Sequence, residues 1–299
     1  MKEYIIYQVD AFTKNRFKGN PAGVIVNADE LTENEMQLIA RELNNSETAF
    51  LFSPDNNLCD GVIRYFTPTT EVPTCGHATI AAMYAKAVHE NLDSCILKYK
   101  TKIGILPFEI HKLSNDYKVT MTQGAFKIED SIDTLNKKKL LKALGLKKED
   151  LNPNCPIKIA STGHSKVMIG INERHRLDEL QPDFPELKSI SKLIDCKGYF
   201  VFCIEAGSEI LAHGRMFAPA IGINEDPVTG NANGPLGGYL VHHDLVPTDS
   251  DLFQFRGKQG VRINRAGIID VKVLLKNSRP EVIKITGEAI IVFKTTIKI

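Results

Sequence analysis

Residues Arg64–Thr79 read RYFTPTTEVPTCGHAT, and half a chain later Arg215–Asn233 read RMFAPAIGINEDPVTGNAN. In both stretches Arg-x-Phe-x-Pro closes a strand-like run, a loop follows, and a glycine opens a segment of small apolar residues. Those segments, Gly76–Val88 and Gly230–His242, predict two helices that are apolar nearly all round and therefore buried. A second pair of landmarks repeats as well. The turn at Gly19-Asn20-Pro21 is echoed by Thr162-Gly163-His164-Ser165, so that glycines lie 144 residues apart and the arginines 151. Two landmarks displaced by about half the chain argue for a duplicated α/β unit, where one pair alone would be coincidence.

The remaining pattern fits a repeated plan. Runs of β-branched and aromatic residues predict strands over Tyr4–Phe12, Val24–Val26, Thr48–Phe52, Gly61–Phe66, Ile96–Tyr99, Ile103–Ile110 and Tyr117–Met121. In the second half they predict Ile157–Ser161, Val167–Ile171, Tyr199–Glu205, Ile210–Phe217, Ile268–Leu275, Val282–Thr286 and Ala289–Ile297. Thr32-Glu33-Asn34-Glu35 is a capping box, with Leu31, Met36, Ile39, Ala40 and Leu43 at helical spacing behind it, so a helix follows to Leu43. Another helix is expected near Glu186–Ile194. The lysine-rich stretch Lys137–Lys148 reads as a solvated helix and as the linker between halves.

The chain has 299 residues, enough for two domains of about 150 residues each, and its 37 basic and 36 acidic side chains nearly cancel. That balance offers no electrostatic reason to expect nucleic acid or an anionic membrane as a partner. The six cysteines include no C-x-x-C pair and read as reduced thiols rather than a disulfide framework. MKEYIIYQVDAF reads as a first strand rather than a signal peptide, and no apolar run nears the ~20 residues that span a bilayer. A cytoplasmic protein is expected.

Each glycine-opened helix presents free backbone N–H groups and the positive end of its dipole, an arrangement suited to a carboxylate or phosphate. The plainer alternative is that Gly and Ala merely let a helix pack closely on a sheet. Ionisable residues stand near both glycines: His77 is one position into the first helix, and Asp226 lies four before Gly230. Glu47, in NNSETAF, directly precedes an apolar strand, where a carboxylate can give and take a proton near neutrality. Taken singly, Glu47 could equally be a surface-loop carboxylate and His77 a helix-terminal surface residue.

Sharper signatures are missing. The sequence has no G-x-G-x-x-G after the first strand and no G-x-x-x-x-G-K-[ST]. GHSKV at Gly163 lacks the last glycine of a nucleophile elbow. His242-His243-Asp244 lacks the i, i+4 spacing of a zinc pair, and no lysine has the context of a pyridoxal Schiff base. A cofactor-free proton-transfer enzyme with no metal survives this elimination.

Together VDAF and FKGNPAGV within Val9–Val24, IARELNNSETAFL (Ile39–Leu51), RYFTPTTEVPTCGHAT and FAPAIGINEDPVTGNANG (Phe217–Gly234) resemble the phenazine-biosynthesis PhzF-like family, of the diaminopimelate-epimerase-like fold. The pattern looks more like the family's bacterial isomerase branch than the phenazine pathway enzyme. The resemblance implies two similar α/β domains, each a curved, barrel-like mixed sheet around a central helix, with the active site in the cleft between them. The expected division is 1–128 joined by 287–299, and 129–286. The phenazine enzyme isomerises dihydro-hydroxyanthranilate without a cofactor, moving a proton with a glutamate that Glu47 matches. His77 and Asp226 match the family's substrate-holding pair, and Gly76 with Gly230–Asn231 its anion-binding turns.

Two departures qualify that picture. Epimerases of this fold place a cysteine before each helix-opening glycine, whereas this chain has Cys75 in the first half and Thr229 in the second. Asn231 stands where other members often carry Ser. The reading is therefore a cofactor-independent isomerase of a small acidic metabolite, with Cys75 also at the site. The alternatives are an amino-acid epimerase using Cys75 as one base, and a non-catalytic small-molecule binding protein. The one assembly expected, if any, is a homodimer.

Overall fold

Thr32 accepts a hydrogen bond from the Glu35 backbone at 3.3 Å and the Glu35 carboxylate accepts one from Thr32 N–H at 2.7 Å, the reciprocal capping read from the sequence. The helix it starts, α1 (Glu33–Leu43), buries Met36, Ile39 and Ala40. The computed structural model describes residues 2–129, 132–247 and 250–299. Its chain forms two compact units, Met1–Thr122 with Thr286–Ile299, and Gln123–Ile285.

In the first unit the strands are β1 (Glu3–Ala11), β2 (Asn20–Ile25), β3 (Thr48–Phe52), β4 (Gly61–Phe66), β5 (Glu71–Val72), β6 (Cys95–Thr101), β7 (Gly104–Lys112) and β8 (Tyr117–Thr122), with helix α2 (Gly76–Glu90) between β5 and β6. β1 and β2 are antiparallel, and α1 carries the chain to β3, parallel to β2. β4 returns antiparallel to β3 and pairs with β5, and α2 then crosses to β6, parallel to β4. β6, β7 and β8 follow as an antiparallel meander. The chain's last strand, β17 (Arg279–Lys298), pairs with β1 on one side and β8 on the other. The eight strands β17, β1, β2, β3, β4, β6, β7 and β8 thus close into a barrel-like sheet, leaving no free edge. α2 packs against β1, β2, β3, β7 and β8. Its run of alanines lets the sheet approach closely, and every residue from His77 to Ala85 is buried.

The second unit repeats this order strand for strand. After β9 (Lys127–Glu129) and α3 (Thr134–Leu144) come β10 (Lys158–Ser161) and β11 (Lys166–Ile171), an antiparallel pair. α4 (Arg174–Glu179) and α5 (Phe184–Leu193) cross to β12 (Tyr199–Ile204), parallel to β11. β13 (Ala212–Ala218) returns antiparallel and pairs with β14 (Ile223–Asp226). α6 (Gly230–His242) then crosses to β15 (Leu252–Gln259), parallel to β13, and β16 (Gly267–Lys276) turns back antiparallel. Asn277 and Ser278, both at positive φ, make the two-residue turn whose twist suits the step from β16 to β17. α6 packs on β10, β11, β15 and β16 and is buried nearly throughout. The fold is thus mixed α+β, a curved sheet around a central helix given twice.

The repeated Arg-x-Phe is a brace. Arg64 holds both Glu71 carboxylate oxygens, at 2.8 and 2.7 Å across the β4–β5 pair, and lies 5.2 Å from the centre of the Phe66 ring. Arg215 does the same with Glu225, at 2.9 and 2.7 Å across β13–β14, and lies 5.0 Å from the Phe217 ring. A planar guanidinium suits both jobs, gripping a carboxylate in two places while covering an aromatic face. The arginines therefore shape the loop before each buried helix.

Four expectations need correcting. Val282–Thr286 and Ala289–Ile297 are a single strand, β17, of 20 residues. Gly287 within it is no turn: a Cβ there would lie 2.6 Å from the Phe12 ring, so glycine permits close packing. The lysine-rich helix, α3, is no linker. Asp133 caps it, and Leu140, Ala143 and Leu144 pack with Leu187 and Ile190 of α5 in the second unit's core. Asn20 and Pro21 already belong to β2, so the turn is shorter than expected and ends at Gly19, whose φ of +61° suits glycine. Finally, α4, β9 and β15 were not anticipated, nor were the short strands β5 and β14 in the segments expected to be loops.

Candidate active site

Helices α1, α3 and α5 each begin with a side chain that accepts from the first turn, namely Thr32, Asp133 and Asp183. The two buried central helices differ. Neither Cys75, which precedes α2, nor Thr229, which precedes α6, caps its helix with its side chain. An uncapped, dipole-positive helix start is where an anion is stabilised. This feature sits at Gly76 and Gly230, as the sequence suggests.

In the first unit four side chains gather at that start. The His77 ring is the hub: its Nδ1 lies 3.4 Å from Cys75 Sγ, and its Nε2 lies 3.2 Å from Ser46 Oγ and 3.3 Å from Glu47 Oε2. Glu47 comes from the loop between α1 and β3. Its Oε2 is buried and close enough to ion-pair with His77, yet accepts no hydrogen bond. An oxygen in that condition is available to a proton or a ligand. The scaffold below is fixed. Thr79 Oγ1 donates to Cys75 O at 2.6 Å, and Tyr65 OH meets the same hydroxyl at 2.6 Å. The donor atoms of Glu47, Cys75 and His77 all lie within 4.8 Å of one another, the one such grouping among the described residues. Sequence spacing could not show it, because Glu47 is separated from Cys75 by the three strands β3, β4 and β5 and their connecting loops.

In the second unit Asp226 is buried at the end of β14. The Thr229 hydroxyl donates to its carboxylate instead of capping α6. Gln259, at the end of β15, ties the loop down. Its Nε2 donates to Asp226 O at 2.7 Å and sits 3.0 Å from Thr229 Oγ1, while its Oε1 accepts from Thr229 N–H at 3.2 Å and Asn233 Nδ2 at 3.1 Å. Asn231 departs from helical geometry (φ −74°, ψ 17°), so α6 is kinked at its second residue. Its Oδ1 accepts from Gln123 Nε2 at 3.4 Å, and Gln123 Oε1 accepts from Thr162 Oγ1 at 2.8 Å. The turn at Gly163 that echoes Gly19 is thereby linked to the start of the buried helix. Ser46, Gln123, Thr162, Gln259 and Asn233 were not singled out as site residues. Ser46, Thr162 and Asn233 lie within the quoted stretches, but the partners that give them a role, His77, Gln123 and Gln259, are distant in sequence.

A family model described as phenazine biosynthesis-like protein matches residues 9–295. The chain belongs to the phenazine biosynthesis-like, or PhzF, family. This PhzF-family chain is 56% identical over 296 residues to an uncharacterized isomerase of Clostridium acetobutylicum, covering 99% of this chain and 98% of that protein. It is 31% identical over 302 residues to the trans-2,3-dihydro-3-hydroxyanthranilate isomerase of Pseudomonas chlororaphis, covering 99% of each. A crystal structure of the Bacillus anthracis phenazine biosynthesis protein of the PhzF family matches it with a TM-score of 0.89 and 32% identity over 100% of both chains. Among the described residues, no helix is long and apolar enough to cross a membrane.

Proposed function

We propose that this chain is an isomerase that moves a proton between atoms of a small carboxylate-bearing metabolite, without a cofactor. The observation that carries the reading is the Glu47 carboxylate, with a buried oxygen that accepts no hydrogen bond, beside His77 at the uncapped start of α2. Glu47 takes a proton from a substrate carbon and returns it to another. The electron pair left behind is held meanwhile by the substrate's own conjugated or carboxylate group. His77 orients the substrate, and the N–H groups at Gly76 steady the negative charge as it develops. In the second unit Asp226, Gly230 and Asn231 offer a further uncapped helix start with polar groups suited to binding a carboxylate. Family membership and the isomerase names of relatives support this reading.

The test is a screen of small carboxylate metabolites incubated with the protein in heavy water and read by mass spectrometry. The expected result is catalysed deuterium uptake at carbon in at least one of them, and a protein that binds ligands without exchanging any proton would overturn the reading. A second reading, an epimerase using Cys75 as a base, is favoured by one observation: Cys75 Sγ is 3.4 Å from His77 Nδ1, a contact that can draw off the thiol proton. A thiol-alkylating substrate analogue separates the two. It inactivates through Cys75 only if the thiol faces the substrate.

A further inference from the structure

Glu47, Cys75 and His77 offer a carboxylate, a thiol and an imidazole, which is a zinc-type donor set held on the loop before β3, the residue preceding α2, and α2 itself. A four-coordinate zinc with Zn–N and Zn–O bonds near 2.0 Å and Zn–S near 2.3 Å keeps its ligand atoms about 3.3–3.8 Å apart. Glu47 Oε2 to His77 Nε2 is already 3.3 Å, and one ligand atom from each of the three residues lies within 4.8 Å of the other two. His77 turns Nδ1 to the thiol and Nε2 to the carboxylate. One ion can use only one of these nitrogens. Taking Nε2 keeps the Glu47 edge as it stands and asks Cys75 Sγ to rotate toward the ion. Glu47 Oε2 accepts no hydrogen bond that would have to be broken.

We propose that Glu47, Cys75 and His77 form a three-ligand site for a thiophilic divalent cation such as Zn²⁺, with the fourth position left to water, and that its occupancy switches the protein off. Binding replaces the S–H bond of Cys75 by an S–Zn bond and releases the thiol proton to solvent. No electron changes hands, and affinity rises with pH. The ion engages the carboxylate that the proposed turnover needs free, so it inhibits and is not a cofactor. The binding claim does not rest on the isomerase reading, and the test separates the two.

Co²⁺ replaces Zn²⁺ as a visible probe. Titration of the metal-stripped protein with Co²⁺ should give one tetrahedral ion per chain, with a near-ultraviolet thiolate-to-cobalt charge-transfer band that Zn²⁺ abolishes on displacing it. Cys75→Ala should lose that band, and Glu47→Gln should keep it while binding more weakly. Each variant should lower Zn²⁺ affinity, measured by competition with a chromophoric chelator, by at least ~100-fold for the cysteine and ~10-fold for the glutamate. Zn²⁺ should also shield Cys75 from alkylation, followed by peptide mass spectrometry. Once an exchanging substrate is in hand, chelator treatment should leave turnover unchanged and one equivalent of Zn²⁺ should suppress it. Absence of the charge-transfer band, or wild-type affinity in Cys75→Ala, overturns the site. Should Cys75→Ala fail to fold by circular dichroism, Glu47→Gln and the alkylation shield decide. Binding without suppression overturns the inhibitory part, and a protein that exchanges no substrate but shows the band overturns only the isomerase reading.

Discussion

Replacing Glu47 by glutamine should lower proton exchange into substrate by ~100- to 10,000-fold, the contribution usual for a positioned acid/base, while the fold and ligand binding survive. The amide has nearly the shape of the carboxylate but cannot carry a proton back and forth. Little structure is lost, because Glu47 Oε2 accepts no hydrogen bond and its interaction with His77 is an ion-pair contact at 3.3 Å. The measurement is the deuterium-uptake rate of wild type and variant at saturating substrate, with circular dichroism as the folding control. A variant keeping more than about a tenth of the wild-type rate removes Glu47 from the chemistry. Asp226 would make a poorer test. Its carboxylate accepts from the Thr229 hydroxyl, so a substitution there disturbs the start of α6 whatever its part in the proposed turnover.

The two arginine braces are alike in design and should differ sharply in what they are worth. Arg215 is 5% exposed, and besides Glu225 it donates to the carbonyls of Leu177 and Leu180 at 3.0 and 2.9 Å. Arg215→Met strands the Glu225 carboxylate, whose side chain is 8% exposed, and orphans two carbonyls. Removing one partner of a buried pair in this way costs about 3–5 kcal/mol. Arg64 is more accessible, and Glu71 keeps a second cation, Lys102, at 2.6 Å. Arg64→Met should therefore cost about 1 kcal/mol or less. Urea denaturation of both variants gives the comparison, and equal losses would refute the burial argument. Adding Glu225→Gln to Arg215→Met should recover part of the loss, since the stranded charge is its main cause.

The two central helices were legible because a glycine followed by small apolar residues has few other uses. β3, β4 and α6 fall where the periodicity places them. β15 escaped because its inward positions are Phe253, Phe255, Gly257 and Gln259, so alternation is present but half the buried side chains are not apolar. α4 is six residues long and buries only Leu177, too little for helical spacing to register. Glu47, Cys75 and His77 could each be singled out from neighbouring residues and from the family resemblance. Their convergence could not, since it depends on α1 and the β3–β4 hairpin bringing the Ser46–Glu47 loop over the start of α2. The Gln259 network was equally hidden, as its partners lie 26 to 33 residues away.

The long last strand sets an order of assembly. The first unit borrows Thr286–Ile299 to bridge β1 and β8, whereas the second is built from one uninterrupted stretch, Gln123–Ile285. During synthesis the earlier-made unit must therefore wait with two unpaired strand borders until Thr286–Ile299 leaves the ribosome. The later-made unit already has all its residues by then. Maturation runs against the direction of translation, and the interval in which β1 and β8 stand open is when a nascent chain is most exposed to pairing with another molecule.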